Sequence, residues 1–222
     1  MRLKDISKID PLKRSVEQDE YRNESSPMNP PDAYSPANVE NQPYENLHPF
    51  LQKLIDEHNE SIKAINSFEE ILRRIQSEGI KSEFDSGLKI FFHFLDDKIV
   101  KHNLKEEKLL FPLLEKRLKE RGEHGSGDYI KTAVDLLEDD HIKVMQLASV
   151  TFNFLGLVVR LPDARSRELT LDAALNQGRD LIELLRLHIF REDNIVFMLA
   201  HKYITITEFN EMQKNCSMFD YY

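Results

Sequence analysis

Tryptophan is absent from the 222 residues, cysteine occurs once and glycine only seven times. The single thiol, Cys216, excludes an internal disulfide and every cysteine-based metal or redox motif, and it fits a reducing cytoplasm. So few glycines, beside abundant Leu, Ile, Glu and Lys, lean the composition towards helix. Long apolar runs are missing too. The longest uncharged stretch, Val144 to Val159, falls short of the roughly 20 residues a membrane helix needs, and Gln146, Ser149, Thr151 and Asn153 interrupt it. It reads as a buried helix, and no membrane is expected as a partner. The opening MRLKDISKIDPLKRS is charged throughout and lacks the apolar core of a signal peptide, so export is not expected. Positive charge is in deficit, with 30 basic against 39 acidic residues and a formal charge of -9. Such a balance offers no broad attraction to phosphate backbones, and nucleic acid is not expected as a partner.

What is present is a soluble-globular balance, 41% hydrophobic and 31% charged, in a chain long enough for one or two domains and a sizeable core. Seven of the nine prolines fall before residue 50, in runs such as SSPMNPPDAYSPANVENQP, which sustain neither helix nor sheet interior. Residues 1–45 are therefore expected to form an extended Pro-rich arm, with Met28, Tyr34 and Tyr44 as candidate anchors, and residues 46–222 the folded body. Apolar residues then recur at helical spacing. A first helix runs from about Asn46 to Gly79, and a second from Ser82 to Gly122 with the stripe Leu88, Phe92, Leu95, Ile99, Leu109 and Leu113. Pro112 lies inside that stripe and predicts a bend. A third helix is predicted from about Tyr129 to Val159, and a fourth from the SRELT segment to Tyr203. A short last one opens at Thr205, with Glu208 placed for a capping box. The expected fold is all-α, an up-down-up-down four-helix bundle with a Pro-rich arm and a short C-terminal helix.

Each long helix places one histidine on its apolar stripe: His58, His102, His141 and His188. Glu106 and Glu192 stand four residues after His102 and His188, on the same faces. The pattern is a tandem repeat, since HNLKEEKLLF is echoed by HIFREDNIVF. One histidine on an apolar face is ordinarily a hydrogen-bonded core residue, and the His-x-x-x-acid spacing alone decides nothing, because His93 with Asp97 and His124 with Asp128 also satisfy it. His124 lies in a Gly-rich loop and His93 lies half a turn round the helix from His102, so both are set aside. Four imidazoles in register with two carboxylates are different. Burying the carboxylates without partners costs several kcal/mol, and a pair of cations bridged by them removes that cost. Imidazole and carboxylate donors without thiolate favour iron, with manganese second. Glu138, three residues before His141, could also reach a metal, whereas the LEDDH and LEKRLKER clusters otherwise read as solvated faces.

Over residues 46 to 213 the segments LIDEH, HNLKEEKLLFP, LLEDDH and HIFREDNIVF resemble the hemerythrin-like, or HHE cation-binding, family. The resemblance implies a four-helix bundle around a non-heme diiron centre. By position, His58 and His102 would hold one iron, His141 and His188 the other, and Glu106 and Glu192 would bridge. It implies a cytoplasmic protein that binds or senses dioxygen, nitric oxide or iron, without a catalytic residue. The alternative is a diiron enzyme that uses oxygen or peroxide, or that donates iron in iron-sulfur cluster repair. Oxygen-carrying members have a second histidine one turn after the third-helix histidine, where this chain has Met145, and cluster-repair members carry a cysteine-bearing N-terminal segment, whereas the arm here has no cysteine.

Overall fold

A computed structural model of the chain describes residues 40–125 and 131–216. Most of the expected arm, including Met28 and Tyr34, lies outside the described residues. Helix α1, Pro49–Glu78, begins on His48, whose Nδ1 accepts the Phe50 N–H at 3.1 Å. It stops at Gly79, whose φ of 78° suits a residue without Cβ. Helix α2 covers residues 85–121, entered through a 3-10 turn at Ser82–Phe84, and ends on Gly122 in the left-handed conformation at φ 72°. A capping box opens α3, Ala133–Val158: the Thr132 Oγ1 accepts the Val134 N–H, and the Asp135 carboxylate accepts the Thr132 N–H at 2.7 Å. Helix α4 covers residues 164–203 and starts on Asp163, whose Oδ1 accepts the Ser166 N–H at 2.8 Å. Thr205 and Glu208 bond reciprocally, as their spacing predicts, to open α5, Ile206–Cys216.

The long helices contain three wide turns, at Leu95–Ile99, Glu106–Leu110 and Glu192–Val196, where a backbone N–H reaches back five residues instead of four. Each adds one residue to the helical repeat, and such turns concentrate at functional sites. The turn after Glu106 displaces the expected stripe by one position. Leu110 and Leu114 are fully buried, whereas the predicted Leu109 and Leu113 are half-buried. Pro112 lies two residues past this turn and is exposed, so its missing donor falls where the ladder has already changed register.

No strand occurs among the described residues, and the bundle is all-α. One apolar layer joins the C-terminal half of α1 and the N-terminal half of α2 to the facing halves of α3 and α4, with Phe68 and Phe91 stacked 3.9 Å apart at its centre. Gly178 lets α4 come close, since a Cβ there would meet Leu72 Cδ1 at 2.6 Å. Phe50, Leu54, Leu110, Leu114 and Phe197 belong to the other half, which α5 covers through Phe209, packed on Phe50 and His48. The four histidines fall between these halves.

The uncharged run in α3 is not buried on all sides. Val144, Ala148, Thr151 and Leu155 face inward, whereas Met145, Val150, Phe152, Leu157 and Val159 are exposed. By length and composition α3 is also apolar enough to cross a membrane, the one such helix among the described residues. Its inner face carries Asp140 and His141, both buried in the bundle.

Candidate metal centre

Between the apolar halves the structure brings together six side chains, one histidine from each long helix and a glutamate from each of α2 and α4. All four imidazoles are buried, and Glu106 and Glu192 have no exposed surface. The Nε2 atoms of His58 and His102 lie 2.9 Å apart, and those of His141 and His188 lie 3.2 Å apart. Each carboxylate spans the two pairs. Glu106 directs Oε1 at His102 Nε2 (3.4 Å) and Oε2 at His141 Nε2 (3.6 Å). Glu192 directs Oε2 at His58 Nε2 and Oε1 at His188 Nε2, each at 3.1 Å. Two four-residue clusters result, His58–His102–Glu106–Glu192 and Glu106–His141–His188–Glu192, sharing both glutamates.

A second ring of acids faces the outer nitrogens and holds three of the four. The Nδ1–H of His58 donates to Asp193 Oδ1 at 2.7 Å, that of His102 to Glu57 Oε2 at 2.9 Å, and that of His141 to Glu107 Oε1 at 2.9 Å. Asp140 stands 3.9 Å from His188 Nδ1. The layout follows the internal repeat: the acid preceding each first histidine faces the second, although only Glu57 bonds to it, and the acid following each glutamate holds the first histidine of the opposite half. Two cations stand behind them. Lys105 Nζ, itself buried, donates to Glu57 Oε1 at 2.5 Å, and Arg191 donates to Asp140 Oδ2 at 2.7 Å. Both cations occupy the third position after the second histidine, in HNLK and HIFR.

This arrangement sets the chemistry. A carboxylate that takes the Nδ1 proton fixes the tautomer, so a neutral imidazole aims its Nε2 lone pair inward. Four lone pairs then converge with four carboxylate oxygens, and all four oxygens, buried in Glu106 and Glu192, lack a hydrogen-bond donor. An all-acceptor cavity of this kind demands cations. Without metal, protons take that place. Burial pulls the His58 imidazole down, but Asp193 and Glu192 outweigh it and push it up to about 10. For His188, burial is likewise outweighed by Glu192 and Asp140, and its pKa also reaches about 10. His102 and His141 are raised against the same opposing burial, chiefly by Glu106. Burial would raise Glu57, yet His102 and Lys105 bring it down to about 2. Glu192 is driven well below the ordinary carboxylate range against its burial, by His188 and His58. The donor set of imidazole nitrogens and carboxylate oxygens fits iron or manganese.

All six residues that the sequence singles out meet here. His93 is exposed and His124 turns to the Gly125 carbonyl, and neither belongs to the clusters. Glu138 is exposed and lies outside them too. Asp140 corrects the solvated reading of LEDDH, since it is buried and paired while Asp139 and Glu138 face solvent. Sequence reasoning missed Glu57, Glu107, Asp193, Lys105 and Arg191. Their signal is an acid beside the first histidine and beside the glutamate of each repeat, and a cation at the matching place in each half. Met145 lines an open cleft of about 650 Å³ between α2 and α3, which reaches His141 and Glu107.

The family described as "Hemerythrin HHE cation binding domain" matches residues 49–200. Among known proteins the chain is 26% identical, over 145 residues, to the iron-sulfur cluster repair protein YtfE of Escherichia coli O81 (strain ED1a). It is 25% identical over 145 residues to proteins of the same name from Escherichia coli O1:K1 / APEC and from Escherichia fergusonii. The alignments cover 65% of this chain and 60% of each relative, so the chain spans about three fifths of their length.

Proposed function

This chain belongs to the hemerythrin HHE cation-binding domain family, and we propose that it is a non-heme diiron protein that binds or senses dioxygen, nitric oxide or iron. The observation that carries the reading is the pair of fully buried glutamates, each placed between two histidine pairs with no hydrogen-bond donor on any carboxylate oxygen. His58 and His102 would hold one iron, His141 and His188 the second, and Glu106 and Glu192 would bridge. Manganese is the second candidate on the same donors. Bound iron would supply a redox-active centre able to take a small diatomic ligand.

The protein's own groups do the rest. Asp193, Glu57 and Glu107 hold three Nδ1 protons and keep those rings aimed. The apolar halves exclude bulk water, and the cleft beside Met145 gives a small neutral molecule a path to His141. No catalytic side chain is assigned, and a cytoplasmic setting is proposed with this reading. A second reading is iron donation in iron-sulfur cluster repair, favoured by the similarity to iron-sulfur cluster repair proteins. The experiment is to load the full chain with ferrous iron without air and titrate it with nitric oxide and with peroxide. A saturating optical change with nitric oxide and no turnover of peroxide supports a binding protein. Sustained peroxide turnover contradicts it.

A further inference from the structure

The two halves of the centre repeat in sequence and in layout, yet they are not equivalent in detail. In the α1–α2 half, one Glu57 carboxylate serves both neighbours: Oε2 accepts from His102 Nδ1 at 2.9 Å and Oε1 from Lys105 at 2.5 Å. In the α3–α4 half the same place holds Asp140, one methylene shorter. It pairs with Arg191 at 2.7 Å and stays 3.9 Å from His188 Nδ1, beyond hydrogen-bond length. The His188 Nδ1 is buried and has no hydrogen-bond partner. The second asymmetry is access. A cleft of about 650 Å³, walled by Val100, Leu104, Met145 and Gln146, opens on the Glu107–His141 pair of that same half. A phenylalanine stacks on the first histidine of each half, Phe197 on His58 at 5.5 Å and Phe111 on His141 at 5.8 Å, so the cleft and not the aromatic cover marks the difference.

We propose that the two metals are held unequally, the one at His58 and His102 being retained and the one at His141 and His188 exchangeable. The inference rests on the diiron reading and adds which position gives up its metal. A ligand histidine whose outer nitrogen is held by a carboxylate is a better-aimed and more basic donor, and losing that partner lowers metal affinity by about 10–100-fold. His102 has the partner and His188 lacks it. Exchange replaces the imidazole and carboxylate donors of one site by those of an incoming chelator, with no change of oxidation state. A chain of this design would deliver a single metal and keep the other, and the retained metal would hold Glu106 and Glu192 in place for reloading.

The test follows ferrous release from the loaded full chain to a chromophoric chelator. Two phases of one metal each are expected, separated about 10-fold or more. Asp140→Glu extends the acid towards both His188 and Arg191 and should slow the fast phase towards the slow one. Glu57→Asp removes a methylene at a partly exposed position, a change the fold accommodates, and should merge the slow phase into the fast. A single release rate from a chain carrying two metals overturns the proposal. So does a Glu57→Asp chain whose slow phase is unchanged. A chain that never holds two metals overturns the diiron reading instead.

Discussion

Glu192 reaches across the bundle to His58, its Oε2 lying 3.1 Å from the imidazole Nε2. Its other oxygen stays with His188, four residues back on its own helix. A carboxylate shared in this way joins the two sequence repeats into one centre, so neither half is complete without the other.

Glu106→Ala and Glu192→Ala should therefore each lower the occupancy of both positions, not one. The loss should exceed the roughly 10–100-fold typical of removing an outer partner. Elemental analysis after loading and gel filtration checks this. His93→Ala, at an exposed residue outside the clusters, should leave metal content unchanged.

Lys105 offers a test of the outer ring that needs no metal. It is buried against Glu57, and Lys105→Met leaves that carboxylate facing His102 alone. Because Glu57 keeps about a quarter of its side chain exposed, the destabilisation should sit below the roughly 3–5 kcal/mol of a fully buried broken pair. Urea unfolding of the metal-free chain measures it. An unchanged midpoint would show that the pair contributes nothing.

The pH dependence should differ between metal-free and loaded protein. His58 and His188 are raised from 6.5 to about 10 in the metal-free fold. Their contribution is full below pH 6.5 and is lost as pH rises through 10. Glu57, lowered from 4.5 to about 2, contributes fully above pH 4.5 and loses this as pH falls towards 2. The metal-free melting temperature should thus peak between pH 4.5 and 6.5. Ligation needs neutral imidazoles, so loading should raise the melting temperature more at pH 8 than at pH 6. Parallel pH profiles with and without iron would rule this out.

Met145 bears on reactivity. A thioether is a poor ligand for iron among oxygen and nitrogen donors. Air should therefore oxidise the reduced, loaded chain within minutes, and evacuating the gas should not restore the reduced spectrum. A spectrum that reverses under vacuum over hours would identify a reversible carrier.

The six inner residues were legible because helical periodicity puts each on an apolar stripe, where an ionisable group has no ordinary reason to be. Helix ends at Gly79 and Gly122 were legible for a local reason, since a positive φ favours glycine. The wide turns were not. An inserted residue leaves no mark except a slipped stripe, and Leu109 and Leu113 fit the unslipped one as well as Leu110 and Leu114 fit the true one. The outer acids were hidden because each serves a histidine on another helix: Glu57 holds His102, and Asp193 holds His58. Which helices adjoin is decided by packing, not by spacing within one of them.

The most direct measurement is an anomalous difference map at the iron edge from crystals of the loaded protein. The account predicts two peaks inside the ring of six, one against His58 and His102, the other against His141 and His188, with Glu106 and Glu192 between them. A single peak, or peaks held by any other set of side chains, would contradict it.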